Sequence, residues 1–333
     1  MRLLHLAAVF ATIAAPALAS GIPVTDCDRL AGFDMARRLP GAPGVAVVSR
    51  TDDAVPACEA AMAAHPDEPF FRLLLARALI AADGDAVRIL SLIEAGGASY
   101  PALAHAQMAW LYQEGRAGFT RNLAQARARF EDGCALHPDP LAAAPCNALA
   151  VMEITGEGGP ADPAAGVAML QELCSKGFAT ACANLGYELG PDGALPRDAA
   201  RAAGLFTTAC ALGDLMGCNN LGFAYESGDG VAVDMARALI LYGRACEGGE
   251  PLGCANLGEA YRVGNGIGAD AVIAAEYFDR ACDSEDAYSC FALAGMLSEG
   301  AGLSVDGARA LALYDRACAL GDDESCALAE AMR

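Results

Sequence analysis

Apolar positions take two arrangements along this chain. Near the start they form one run, Leu3 to Ala15, behind a single Arg2. Further on they recur at helical spacing, in blocks separated by Gly-rich turns. Residues 215 to 250 show the block most clearly. There Cys218-Asn219-Asn220-Leu221-Gly222-Phe223-Ala224-Tyr225 predicts a first helix, ended by Gly228-Asp229-Gly230. Asp234 then stands where an N-cap or first-turn acid belongs, accepting free backbone N–H groups and complementing the helix dipole. Ala238, Leu241, Tyr242 and Ala245 share one face of a second helix, and Gly248-Gly249 closes it.

The block repeats every 36 residues. Cys174, Cys210, Cys246, Cys282 and Cys318 form one series, and Cys182, Cys218, Cys254, Cys290 and Cys326 another. Asp162, Asp198, Asp234, Asp270 and Asp306 keep the same period, as do Phe206, Tyr242, Phe278 and Tyr314, and Ala209, Ala245, Ala281 and Ala317. Five series at one spacing define a repeat. A single two-helix hairpin of this length has too little apolar surface to fold alone and must stack on its neighbours. The expected fold is therefore all-α, an α-solenoid of antiparallel helix hairpins.

These residues resemble the Sel-one-like repeat (SLR), a relative of the tetratricopeptide repeat with a 36-residue unit. Leu221, Gly222, Tyr225, Gly228, Gly230, Val231, Asp234, Ala238, Tyr242 and Ala245 match its pattern, and Leu257, Gly258, Tyr261, Gly264, Gly266, Asp270, Ala274 and Phe278 match it again. A cysteine at each end of the unit resembles the cysteine-rich bacterial branch. The resemblance runs from about residue 101 to 326, most strongly after 179, and implies a right-handed superhelix. The expected organisation is a leader over 1–19, an irregular segment over 20–54, and degenerate tetratricopeptide-like helices over 55–100. Six repeats follow at about 101–140, 141–178, 179–214, 215–250, 251–286 and 287–322, and then a capping helix over 323–333.

Composition sharpens this picture. The chain is 55% hydrophobic yet only 6% aromatic, so its apolar side chains are mostly small and suit closely packed helices. A collagen, a coiled coil and a disordered polymer are excluded, because Gly is too sparse and charge is only 19%. The initial apolar run is shorter than the ~20 residues that span a bilayer. It ends in Ala17-Leu18-Ala19, an A-x-A site, and so reads as a secretory signal cleaved after Ala19. The context of Cys27, preceded by Val24-Thr25-Asp26, does not suit a lipoprotein. Periplasmic or secreted localisation is expected, without stable membrane insertion after cleavage. The formal net charge is −20. Such a surface repels phosphate backbones and anionic headgroups, which disfavours nucleic acid as a partner.

The chain holds 14 cysteines. Two pairings put sulfurs at the same end of a hairpin. Pairing within units strands Cys134 and Cys326. Pairing between units joins Cys134 with Cys146, Cys174 with Cys182, Cys210 with Cys218, Cys246 with Cys254, Cys282 with Cys290 and Cys318 with Cys326, leaving Cys27 for Cys58. Only the second uses every cysteine. An exported chain meets the oxidising conditions such bonds need. Zinc sites usually space ligands by two to four residues, and every short spacing here is longer, so no metal is expected. The absence of C-x-x-C removes a thioredoxin-like role.

Cysteine-rich SLR proteins are associated with penicillin binding, so the resemblance carries β-lactam binding or a weak β-lactamase activity as an alternative function. The residues offer no mechanism for it. S-x-x-K places a nucleophile one helical turn from a lysine, but the residue three before Lys176, the sole lysine, is Leu173. After Ala19 the only histidines are His65, His105 and His137. Gly264, Gly266 and Ala269 imitate a dinucleotide fingerprint, yet Gly228-Gly230 and Gly300-Gly302 hold the same register with no preceding strand. No catalytic residue and no cofactor is expected.

Recognition remains. First helices of such solenoids line the inner curve, so a side chain repeated on them recurs along a groove. Asn184, Asn220 and Asn256 form that series, and an amide both donates to and accepts from an extended peptide. Glu188, Glu259 and Arg262 are the accompanying candidates. The expected function is an exported, non-catalytic, monomeric scaffold that binds a protein or peptide through its concave face.

Overall fold

A computed structural model describes residues 24–31, 48 and 51–333. The leader expected over 1–19 lies outside them, as does much of the segment 20–54. Seventeen α-helices and no strand occur among the described residues. They are α1 (Asp26–Ala31), α2 (Thr51–Ala64), α3 (Phe70–Ala81), α4 (Ala86–Gly97), α5 (Pro101–Glu114), α6 (Leu123–Cys134), α7 (Ala143–Thr155), α8 (Pro163–Ser175) and α9 (Ala179–Glu188). Next come α10 (Ala199–Ala211), α11 (Leu215–Ser227), α12 (Met235–Glu247), α13 (Pro251–Val263), α14 (Ala271–Asp283), α15 (Ala287–Glu299), α16 (Gly307–Ala319) and α17 (Asp323–Met332). The chain forms two compact units, one of residues up to Arg121 with Asp132–Ala144, the other of Asn122–Glu131 with Pro145–Arg333.

In the first unit α3, with the sequence FFRLLLARALIA, is apolar on nearly every side and is buried accordingly. The Phe70 ring meets Tyr100 edge to face at 5.4 Å, and the Tyr100 hydroxyl donates to Glu68 at 3.0 Å. Gln107 is fully buried and donates to the Leu73 carbonyl at 2.6 Å. A disulfide between Cys27 and Cys58 ties α1 to α2.

The second unit is built of consecutive helices packed pair on pair, as in a solenoid. The repeated aspartates are N-caps. Asp162, Asp198, Asp234 and Asp306 each accept the backbone N–H three residues on, and Asp270 accepts two. Each such cap is worth about 1 kcal/mol. The Gly-x-Gly turn has a packing reason. At Gly230, φ is 74° and a Cβ would lie 2.0 Å from the Ala199 carbonyl oxygen of the preceding repeat, so no side chain fits. Arg244, Arg280 and Arg316 reach back to the C-terminal end of the preceding second helix, at Cys210 Sγ (3.5 Å), the Cys246 carbonyl (3.2 Å) and Asp283 Oδ1 (3.0 Å).

The disulfides follow the between-unit scheme: Cys174 to Cys182, Cys210 to Cys218, Cys246 to Cys254, Cys282 to Cys290 and Cys318 to Cys326. Cys134 and Cys146 are disulfide-bonded as well, and no cysteine is free. Each of the five bridges links the end of a second helix to the first helix of the next unit. They are staples across the seams of a core built of Ala and Gly.

An ion pair in the second unit is largely shielded from solvent. Arg127 donates to Glu153 at 2.6 Å and to the Pro160 carbonyl at 3.0 Å, with its side chain 10% exposed and that of Glu153 15%. Removing one partner leaves a desolvated charge without its counterion. Arg127→Met is therefore expected to lower unfolding free energy by about 2 kcal/mol. Urea denaturation followed by circular dichroism measures this.

Candidate functional site

The outward positions of the first helices recur with the repeat. Met216, Asn220 and Phe223 lie one and two turns apart along α11, as do Leu252, Asn256 and Glu259 along α13. Thr180, Asn184 and Tyr187 hold the same register on α9, and Tyr288 opens it on α15. Large apolar side chains remain in solvent there: Tyr187 is 51% exposed, Phe223 52%, Leu252 45% and Tyr288 52%. These side chains share one register with the amides along the first helices.

The amides are linked from helix to helix. Asn184 donates to Asn147 Oδ1 at 3.2 Å, and Asn256 donates to Asn219 Oδ1 at 2.8 Å. Asn219 in turn lies 3.5 Å from Asn220 Oδ1 as donor. Asn147 and Asn219, each one register position earlier, are the buried partners that sequence reasoning missed.

Glu259 and Arg262 form a two-pronged pair, Nε to Oε2 at 2.8 Å and Nη2 to Oε1 at 2.6 Å, with the Tyr288 hydroxyl 3.4 Å from Oε2. The Arg262 hydrogen bonds hold the Glu259 carboxyl below the usual carboxylate range. Partial burial, then the Glu259 charge, push the Tyr288 phenol up. Glu188 belongs elsewhere. It is 5% exposed and accepts the Ala194 backbone N–H at 2.9 Å, shaping the loop between α9 and α10.

A second series of acids was not singled out from the sequence because a Glu interrupts it. Asp214, Glu250, Asp286 and Asp322 cap the first helices α11, α13, α15 and α17. Burial, reinforced by Asp214 and Asp286, raises the pKa of the Glu250 carboxyl. Likewise, burial and then Glu226, which accepts its hydroxyl at 2.6 Å, push the Tyr242 phenol up.

Lys176 closes the C-terminal end of α8 and pairs with Glu172 at 2.6 Å, while Leu173 is buried in the core. His65 stacks on Phe71 at 5.7 Å. Among the described residues no three His, Cys, Asp or Glu side chains gather as metal ligands, and no helix is long and apolar enough to cross a membrane.

Fold and surface define a repeat scaffold, and the comparisons place it. The Sel1 repeat family model matches residues 102–128, 146–178, 179–214, 215–250, 251–286 and 287–322, and the chain belongs to this family. A Sel1 repeat protein from Oxalobacter formigenes has a similar structure, 19% identical with TM-score 0.55, over 74% of this chain and 96% of that one. A protective antigen of uropathogenic Escherichia coli with an SLR fold is 19% identical with TM-score 0.51 over 83% of this chain, which spans 58% of the antigen's length. Cysteine rich protein B of Helicobacter pylori is 26% identical with TM-score 0.33, over 38% of this chain and 92% of that one. No curated protein matches.

Proposed function

We propose that this chain is an exported, non-catalytic scaffold that holds an extended polypeptide along the exposed face of α9, α11, α13 and α15. The observation that carries the reading is the register of that face: apolar side chains at Met216, Leu252 and Tyr288 and at Tyr187 and Phe223 flank Asn184, Asn220 and Asn256. In solenoids of this kind the first helices line the inner curve. A peptide laid across them meets an apolar contact and an amide in each unit. The Glu259–Arg262 pair offers a charged contact within the same face. Seven disulfides support an oxidising compartment outside the cytosol.

The test is peptide selection on the disulfide-intact protein, followed by fluorescence anisotropy. Phe223→Ser with Leu252→Ser is expected to weaken a selected peptide at least about tenfold, because two exposed apolar contacts are lost while the core is untouched. The helical circular dichroism should not change. Unaltered affinity in this variant and in the Asn184, Asn220 and Asn256 triple alanine variant removes the site.

A further inference from the structure

A pocket of about 460 Å3 opens between α14 and α16. Val272, Leu293, Leu297 and Val305 are among its apolar lining residues, and Asp279 and Arg309 among its polar ones. The repeat supplies its explanation. Leu297 stands in the register of Tyr225 and Tyr261. Tyr261 stacks on Tyr277 with ring centroids 5.7 Å apart. Tyr225 lies beneath the Arg237 guanidinium, 5.4 Å from its ring centroid, and its hydroxyl accepts from Arg237 Nη1 at 3.1 Å. Arg309 is the register mate of Arg237. The last complete unit thus keeps the arginine and lacks the ring, and Arg309 turns to Asp279 at 2.8 Å. Leu189 shares the register, but its unit lacks the Gly-x-Gly turn that places Leu303, Ser304 and Val305 beside the pocket. The register mate of Arg309 in that unit is Arg201, whose backbone N–H is capped by Asp198 at 3.1 Å.

We propose that this pocket receives the phenol ring of a tyrosine from a partner polypeptide, with Arg309 over the ring or on its hydroxyl. The protein makes the same contact internally between Arg237 and Tyr225, so the chemistry of the occupant is read from the neighbouring repeat. Glu276, Asp279 and Asp306 line the pocket in a chain of net charge −20. A tyrosine flanked by basic residues is therefore preferred over one flanked by acids. The site shares no residue with the face formed by the first-helix positions above, and its test is independent of that reading.

The experiment is a 15N–1H titration of the disulfide-intact full chain with the capped peptide Lys-Gly-Tyr-Gly-Lys. The same peptide with Phe for Tyr, the same with Glu for Lys, and free p-cresol are run beside it. The tyrosine peptide is expected to shift the amides of Val272, Val305 and Arg309, and to bind at least about fivefold more tightly than the other two peptides. Leu297→Tyr restores the ring that two other units carry, so it keeps the fold and the thermal midpoint while losing about tenfold or more of the peptide affinity. Arg309→Gln keeps apolar binding and loses the preference of Tyr over Phe. No shift at these amides up to about 10 mM peptide overturns the proposal. So does equal binding by Leu297→Tyr, and so does p-cresol binding with the peptide excluded, which makes the pocket a small-molecule site.

Discussion

Reducing all disulfides is expected to lower the thermal midpoint by roughly 20 °C or more and to remove most of the helical circular dichroism of the second unit near body temperature. The reason is the composition of the core. Ala238, Ala245, Ala274, Ala281, Ala310 and Ala317 are fully buried at the seams between helices, where Leu or Phe would bury far more area. On the chain-entropy model each ~9-residue ring contributes about 2.5 kcal/mol. Five such rings lie in the second unit. Their joint contribution, on the order of 12 kcal/mol, is comparable with the whole net stability of an ordinary domain. Cys182, Cys218 and Cys290 are fully buried, so reduction proceeds through opening and requires denaturant that is then removed. Thermal melts of reduced, alkylated protein beside the oxidised form provide the measurement. Cys246→Ala with Cys254→Ala is the graded version. It should cost about 2.5 kcal/mol, felt mainly by the two units it joins because each repeat touches only its neighbours. A reduced protein that melts where the oxidised one does contradicts this account of its stability.

The second large effect is expected at a glycine. A Cβ on Gly258 would lie 2.8 Å from the Phe278 ring, and Phe278 is fully buried with no room to retreat. Gly222 and Gly186 face Tyr242 and Phe206 in the same way at 2.7 Å. Gly258→Val is therefore expected to lose about 3 kcal/mol in urea denaturation. Gly243, on α12, has nothing within 4 Å of its Cβ position. Gly243→Ala is expected to gain about 0.5 to 1 kcal/mol, since the helix interior prefers Ala and the unfolded chain loses freedom. Opposite signs for two glycines on successive helices separate close packing from helix propensity. A Gly258→Val variant as stable as the parent would show that the glycine-on-ring contact carries no weight.

The aromatic series Phe206, Tyr242, Phe278 and Tyr314 and the Leu-Gly pairs were both legible as periodic features. Their contact with each other was not, because periodicity says which positions are equivalent and not which ones touch. The arginines at 244, 280 and 316 passed unnoticed for a related reason. Their partner atoms are a sulfur, a carbonyl and a carboxylate, so no one residue type across the seam announces the contact. The capping acids of the first helices were hidden because Glu250 stands among aspartates, although a carboxylate of either length accepts the backbone N–H.

What the sequence by itself determined was the element order, the repeat and the set of cysteine partners that leaves none unpaired. A periodic chain presents the same neighbour to each equivalent position, so one unit read correctly stands for the rest. Tertiary structure alone decided where the amides of Asn184 and Asn256 go, that Glu188 serves its own loop, and that a pocket lined by Leu297 and Arg309 opens in the last complete unit. The amide contacts recur at one offset of 37 residues, while those at Glu188 and Leu297 depend on a departure from the period. The consequence of a departure is set by the side chains that adjacent helices bring to that point, and their reach in space is not written in the spacing.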